Sequence, residues 1–495
     1  MLTNLNFLDK GKKWPPEDRD ERERLERYEN NKQIFESKHY DVYREQFARI
    51  QRVIGNLEDI ISYETILNYQ KKVSIKTADF LFGEVPQIRC GDENSPQQKT
   101  VSQIIETSDL FNKSYEVGLD VSMLGTGVYY VYKDKENQGM VDVIQPAIWF
   151  PVVSEDNLKK TLYHVLAWTI NNEYLKAQIH SKGSYEERFY SIESGKSGIT
   201  IANLLSSQII ETGLNDFAVI PVHNILTSYR VYGMDDYDEI DTIISNLCVR
   251  CSQVDKILDE HADPKMTGPI SAVVVDPQTK EARLPRGRYF ATYEPNDPEI
   301  KYLTWEGQLE ANFKHMEVLV NHLYVISEMG AVIFGDIKDK TGQAVSGTAL
   351  RIRMLSVLAK VNRIKMHFDP GMKKAIKLCS QLGGKNIVNL TEERIDITWQ
   401  DGLPSDPVEE ANLMNTRTAG KATISQRTAV KTMGNLSEEA TEAEMALIEE
   451  EESMSNPLSY PDLTGGNYGE ETEKDNGQKN TQTDTALSAG KKRPA

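Results

Sequence analysis

Three stretches of this 495-residue chain carry residue types that could do chemistry. The run Ser194-Gly195-Lys196-Ser197 ends like a phosphate-binding loop, in which backbone amides and a lysine hold the phosphates of a nucleotide. That loop also requires a glycine at the position of Tyr190, and no helical spacing opens after Ser197. The run therefore reads as a hairpin turn. Asp235, Asp236, Asp238 and Glu239 form an acidic cluster of the kind that holds Mg²⁺ in nucleases and polymerases. No second acidic cluster or partner lysine accompanies it in sequence, and carboxylates opening a helix are favoured by its dipole. Cys248 and Cys251 have the spacing of zinc ligands, yet no second pair completes a set of four, and both fit inside an amphipathic helix as small buried residues. The eight histidines are isolated, and none sits in an HExxH or nucleophile-elbow pattern. The sequence thus predicts no catalytic residue, no cofactor, no metal and no enzymatic activity.

Two charged constellations remain. Between residues 336 and 345, Asp336, Lys338, Asp339, Lys340, Thr341, Gly342 and Gln343 mix both signs of charge around a glycine and offer no apolar face, which predicts a mobile loop. Arg283, Arg286 and Arg288 make a local basic patch, either a solvated hairpin tip or a docking surface for an acidic partner. The chain around them is acidic, at a net charge of −18, with about half of that in the last ~60 residues. Such a balance argues against a protein that grips nucleic acid over its whole surface, because tight binding neutralises phosphates with Lys and Arg. It is compatible with one that lets DNA pass. Hydrophobic content of 39% and charged content of 27% are ordinary for a soluble protein large enough for two or three cores. No run of ~18 apolar residues could span a membrane, and the first residues lack the order of a secretory signal. Four scattered cysteines predict a reducing compartment rather than a disulfide framework.

The elements that must position these residues follow from periodicity. Residues 10–40 are densely charged with both signs balanced, and predict a solvated arm or peripheral helix. Helical spacing resumes over 58–82, where Gly83 and Pro86 end it, and again over about 103–123, broken by Gly125-Thr-Gly127. Strands are predicted over 128–132, 141–144, 149–153, 162–170, 187–192 and 217–221, giving an α+β domain with antiparallel sheet up to about Gly233. A helix from about Asp236 to Asp263-Pro264 and another over 308–327 flank a β-insert with strands near 270–275 and 288–292. After the charged loop comes the longest helical pattern, with Leu350, Met354, Leu358, Val361, Lys365 and Phe368 at spacings of three and four. Asp369-Pro370-Gly371 must kink or restart it, and Gly383-Gly384 ends it. A strand over 394–399, small helices to about Glu452 and a polar disordered tail complete the chain.

Over about residues 58–452 this arrangement resembles the portal proteins of tailed bacteriophages, in particular those of phages with long non-contractile tails. Its carriers recur in family order: Ala78-Asp-Phe-Leu-Phe-Gly-Glu-Val-Pro86, Gly125-Thr-Gly-Val-Tyr-Tyr, Gln145-Pro-x-x-Trp-Phe-Pro151, Ile220-Pro-Val, and Ser346-Gly-Thr-Ala-Leu350 at the head of the long helix. The resemblance implies a portal-type fold: a charged N-terminal arm (1–57), an α+β wing (58–233), a first stem helix (234–267), a clip (268–305) and a second stem helix (306–330). A tunnel loop (331–346), a long helix with a wing strand (347–404), a crown (405–453) and a tail (454–495) follow. It also implies a ring of twelve copies at one capsid vertex of the virion, assembled in the host cytoplasm. Double-stranded DNA would be packaged and ejected through the ring. Lys338 and Lys340 would be the candidate phosphate contacts of the tunnel loop. The implied partners are the terminase large subunit and the head-tail adaptor, docking on the clip arginines, together with major capsid and scaffolding proteins, and no membrane. The alternatives are a DNA-packaging ATPase or nuclease, suggested by Lys196 and the acidic cluster, or another capsid or connector component. The N-terminal arm and the tail match nothing in the family as read from sequence.

Overall fold

The computed structural model describes residues 1–48, 64–195, 198–262, 266–267, 274–275, 277–278, 282–283, 301–302, 309–335, 351–400, 425–434 and 438–455. They fall into two units, residues 1–405 and 406–495. The first is a mixed helix-and-sheet body.

Alternating apolar residues build an antiparallel meander in which Trp149–Val153, Thr161–Ile170, Tyr174–His180, Ser184–Gly195 and Gly198–Glu211 each pair with the next. Lys13–Trp14 adds a short sixth strand against Ile199 and Thr200. The inward positions Phe150, Val152, Val165, Ala167, Leu175, Ala177, Ile179 and Ile201 bury together with Leu2, Phe7, Leu8 and Trp14 from the chain start. Each such side chain contributes about 1.5–3 kcal/mol on burial. That is enough to hold the N-terminal segment on the sheet.

The charged helix Arg19–Phe35 is likewise no solvated arm. Its residues Glu21, Arg24, Tyr28, Asn31 and Ile34 recur every three or four positions and are buried. Arg24 stacks over the rings of Tyr28, Phe150 and Tyr232, 4.5–5.1 Å from their centroids, and pairs with Glu21 at 3.0 Å. The buried face is written in charged residues whose charges are paired, so apolar periodicity could not reveal it.

A second core lies between the sheet Val219–His223, Thr126–Lys133, Gly139–Ile144 and a set of helices. Tyr69–Phe82 starts at the Asn68 cap, eleven residues later than the spacing predicts. Pro96–Ser108 and Leu110–Leu124 are two helices where one is predicted, because Asp109 takes a left-handed conformation between them. Gly125 closes the second at φ +77°, and a Cβ there would lie 2.4 Å from the Gly233 carbonyl oxygen, so this turn accepts only glycine. Asp241–Ala262 and Leu309–Ile326 lie side by side, with Cys251 Sγ 3.8 Å from Met316 Sδ.

The long helix Leu355–Leu382 runs unbroken through Pro370 and ends at Gly383, φ +77°. Of the two expected outcomes, a kink or a restart, the restart does not occur. Pro370 removes the hydrogen bond to the carbonyl of Met366, and both residues are exposed, so water can satisfy that oxygen. Asp369 pairs with Lys373 at 2.6 Å instead of capping a new segment. Asp396–Thr398 then pairs antiparallel with Gln87–Arg89. In the β-insert, Met266–Thr267 pairs with Lys301–Tyr302, and Val274–Val275 with Ala282–Arg283. The second unit contains the helices Gln426–Gly434 and Glu438–Ser455, joined by an Arg427–Glu442 ion pair at 3.1 Å.

Candidate functional site

The predicted tunnel-loop residues Asp336, Lys338, Asp339, Lys340, Thr341, Gly342 and Gln343 lie outside the described residues, whereas both roots of their segment lie within them. On the incoming side, Phe334 stacks on Tyr324 and meets Tyr69 edge-on, with ring centroids 5.3 Å apart in each case. On the outgoing side, Met354 is buried, as is Met329. A Cβ built on Gly330 would lie 3.4 Å from the Arg353 carbonyl oxygen, so the two roots touch. Lys360 donates to the Ser327 carbonyl at 3.3 Å, and Arg363 pairs with Glu328 at 2.5 Å. The segment 336–350 is therefore carried on two roots clamped to each other.

Lys360 is also the centre of a buried charge node. Its ammonium lies 3.0 Å from Asp236 Oδ1, with the two side chains 3% and 6% exposed. Asp236 accepts further bonds from Ser122 Oγ at 2.6 Å and Asn224 Nδ2 at 2.7 Å. The node ties the long helix, the helix Leu110–Leu124, the sheet and the end of Leu309–Ile326 together. Its neighbour Asp235 does not open a helix, which starts only at Asp241; its Oδ1 accepts the backbone N–H groups of Tyr237 and Asp238 at 3.0 Å. Arg27 pairs with Asp235 at 2.9 Å and with Asp241 at 2.5 Å, and Tyr43 donates to Asp241 at 3.1 Å. Burial pushes the Asp241 carboxyl up against the pull of Arg27. Of the four acids that might have held Mg²⁺, Asp235 and Asp236 are engaged by Arg27, Lys360 and backbone amides.

The other chemical candidates lie partly within the described residues. Burial pushes the Cys248 thiol up to about 11, which keeps it protonated and a poor metal ligand, and the Leu67 N–H points at its sulfur at 3.4 Å. Among the described residues, no three His, Cys, Asp or Glu side chains are grouped to hold a metal. Ser194 and Gly195 close the strand Ser184–Gly195, with Gly195 paired to Gly198, while Lys196 and Ser197 lie outside the described residues. Arg283 sits opposite Val274 in its two-residue ladder, and Arg286 and Arg288 lie outside the described residues.

Sequence reading missed Lys360, Arg27 and the histidines. Lys360 had a signal: it falls on the same helical face as Val357, Val361 and Ile364, where a lysine must find a buried partner. His164 and His180 are buried, and His223 half-buried, where the meander meets the three-stranded sheet. Trp149 Nε1 donates to His164 Nδ1 at 3.0 Å, and Thr126 Oγ1 lies 3.0 Å from His223 Nδ1. Burial lowers His164 and His223 to about 3 and His180 to about 4, so all three are neutral at pH 7.

The family described as Phage portal protein, SPP1 Gp6-like, matches residues 16–458. The match begins inside the N-terminal segment that sequence reading had set apart, in keeping with the burial of the helix Arg19–Phe35. Among solved structures, a chain from the neck of an empty GTA particle computed with C6 symmetry is similar at 11% identity and a TM-score of 0.43, covering 74% of this chain and 88% of that one. One from the neck of a native GTA particle computed with C12 symmetry is similar at 10% identity and a TM-score of 0.43, covering 74% and 89%. Among curated proteins none matches.

Proposed function

The chain belongs to the SPP1 Gp6-like family of phage portal proteins, and on that footing we propose that it forms a ring at one capsid vertex of a phage-like particle, with double-stranded DNA passing along its axis. The observation that carries the reading is the family match across residues 16–458. The family is structural, and the protein is proposed to act without catalysis of its own.

Within the ring, the helices Asp241–Ala262 and Leu309–Ile326 are proposed as the stem, and the short ladders between them as the clip where terminase and then the head-tail adaptor dock, using Arg283, Arg286 and Arg288. Residues 336–345 are proposed to border the DNA, and the helices from Gln426 onward to form the crown. What supports the tunnel role is mechanical. A conduit must meet DNA without holding it, since each fixed phosphate contact adds affinity that slows sliding. Lys338 and Lys340 are offset by Asp336 and Asp339, and the segment's roots are clamped, so the loop can press on DNA without giving way at its base.

Electron microscopy and native mass of the purified chain test the reading. A channelled ring of about a dozen copies is expected, and deletion of residues 341–345 should keep that ring while lowering the DNA packaged per particle. A chain that stays monomeric even with capsid and scaffolding proteins, or a deletion that packages normally, would count against it.

A further inference from the structure

Each of the two larger sheets in the body buries one face in a core of its own and turns the other face to its neighbour. In the meander, Phe150, Val165 and Ile179 point into one core, so Trp149, His164 and His180 beside them point out of it. In the three-stranded sheet, Tyr129, Ile220 and Val222 point into the other core, which leaves Val128, Tyr130, Val219 and His223 on the opposite face. These outward faces meet. Tyr130 lies edge-on to His180 with ring centroids 5.5 Å apart, and His223 lies 6.4 Å from both Trp149 and His367 of the long helix. The buried apolar part of the junction is small, namely Val128, Trp149, Leu166 and Val219. Little there would offset an added proton. His164 faces His180, His223, Lys374 and Asp216, and Asp216 is already held by Lys374 at 2.7 Å and Lys182 at 3.2 Å. Lys159 faces both His223 and His367. His180 is enclosed by Tyr130 and Tyr185, and neither of its ring nitrogens has a hydrogen-bond partner. Glu187, beside those two tyrosines, is paired with Lys176 at 2.7 Å. Both acids are committed to lysines.

We propose that this junction is an acid-opened latch: when His164, His180 and His223 take up protons, the meander parts from the three-stranded sheet while each keeps its own core. The latch is a property of one copy of the chain and goes beyond the portal reading. A protonated imidazole in a buried layer without a free acid is stable only once water reaches it. Parting the sheets exposes the small apolar cluster around Trp149, whereas unfolding either lobe would expose a whole core. The joint therefore opens before either lobe unfolds. The helix Arg19–Phe35 supplies the pivot. Arg24 donates to the Pro146 carbonyl at 3.1 Å and stacks over Phe150 of the meander, while Asn31 donates to the Met123 carbonyl at 2.7 Å on the other lobe. Below the ordinary histidine pKa of about 6.5, each histidine raises the opening constant by up to about tenfold per pH unit.

The test uses the full chain with Cys251→Ser, so that the remaining native cysteines, Cys90, Cys248 and Cys379, all lie buried in the core of the three-stranded sheet and its helices. Val219→Cys adds a thiol at the junction, and Val152→Cys, in a second variant, adds one in the meander core. Labelling by dithiodipyridine, which reacts with thiols in acid, is followed at pH 7 and pH 5 by peptide mass, with rates corrected against a free thiol peptide. At pH 5 the thiol of Val219→Cys should label at least about a hundredfold faster than at pH 7. The native thiols and that of Val152→Cys should stay protected. Adding His180→Phe, which keeps a ring in place and takes no proton, should cut the acceleration about tenfold. Thiols that all become reactive together would mean that acid unfolds the whole body, and would overturn the latch. A junction thiol still protected at pH 5 would overturn it too, as would full acceleration in the His180→Phe variant.

Discussion

The body of the molecule and its helix Leu309–Ile326 invert each other's chemistry. In the body, charges are inside: Arg24, Glu21, Lys360 and Asp236 are buried and paired within one chain. On the helix, apolar groups are outside: Phe313, Val318, Val325 and Ile326 are exposed, and only Leu323 is buried. A buried ion pair costs desolvation that only good geometry and further hydrogen bonds offset, and the body supplies both. An exposed apolar helix leaves its burial energy unspent. The body therefore pairs its charges within one chain, whereas the helix carries apolar side chains that the described residues of its own chain leave in solvent. Perturbing the body should unfold the subunit; perturbing the helix should leave the subunit folded and show itself in assembly.

The sharpest way to break this contrast is at the charge node. Lys360→Met leaves Asp236 buried with only neutral donors, and removing one partner of such a pair costs about 3–5 kcal/mol. Urea denaturation should show that loss, and adding Asp236→Asn should restore more than half of it, because the second change removes the stranded charge. A loss below about 1 kcal/mol would place the pair with weak surface bridges and dissolve the contrast.

The histidine layer tests the same body by pH. His164, His180 and His223 have folded pKa values lowered below the unfolded value, so below about pH 6.5 the unfolded chain binds more protons. Stability is full above that pH and falls as the pH drops towards 4, by up to about 1.4 kcal/mol per pH unit for each histidine. Denaturation midpoints at pH 7 and pH 5 should differ accordingly, and His180→Phe should reduce the slope. His180 is the informative site, since neither ring nitrogen has a hydrogen-bond partner to lose. Equal midpoints at the two pH values would mean that the layer takes up protons without opening.

How much of this was legible in sequence follows the same division. The helices Leu309–Ile326 and Leu355–Leu382 were readable because apolar residues repeat at the helical period, and the strand Trp149–Val153 because it is a short continuous apolar run. The helix Arg19–Phe35 read as solvated because its buried face is made of Glu21, Arg24 and Asn31, whose partners lie elsewhere in the chain. The strand Gly198–Glu211 was missed because it is exposed on both faces beyond Ile201, with Leu204 and Leu205 adjacent, so no alternation marks it. For the site, position in the chain was readable and chemistry was not. The charged segment after Phe334 could be placed between two helices, but the clamp at its roots depends on contacts such as Lys360–Ser327 that no local pattern encodes.

The smallest expected effect is also the one that isolates the helix. Phe313 is 49% exposed, and serine has a helix propensity close to that of phenylalanine, so Phe313→Ser removes almost nothing that one chain uses. Its unfolding free energy as a monomer should stay within about 0.5 kcal/mol of the unmodified chain, as for other surface changes. If the helix is finished by a neighbouring copy, the same substitution should still raise the protein concentration at which rings appear, by an amount readable in mass photometry. A monomer destabilised by 2 kcal/mol or more, as for a core truncation, would mean that the helix is buried within its own chain. The inversion between body and helix would then be lost.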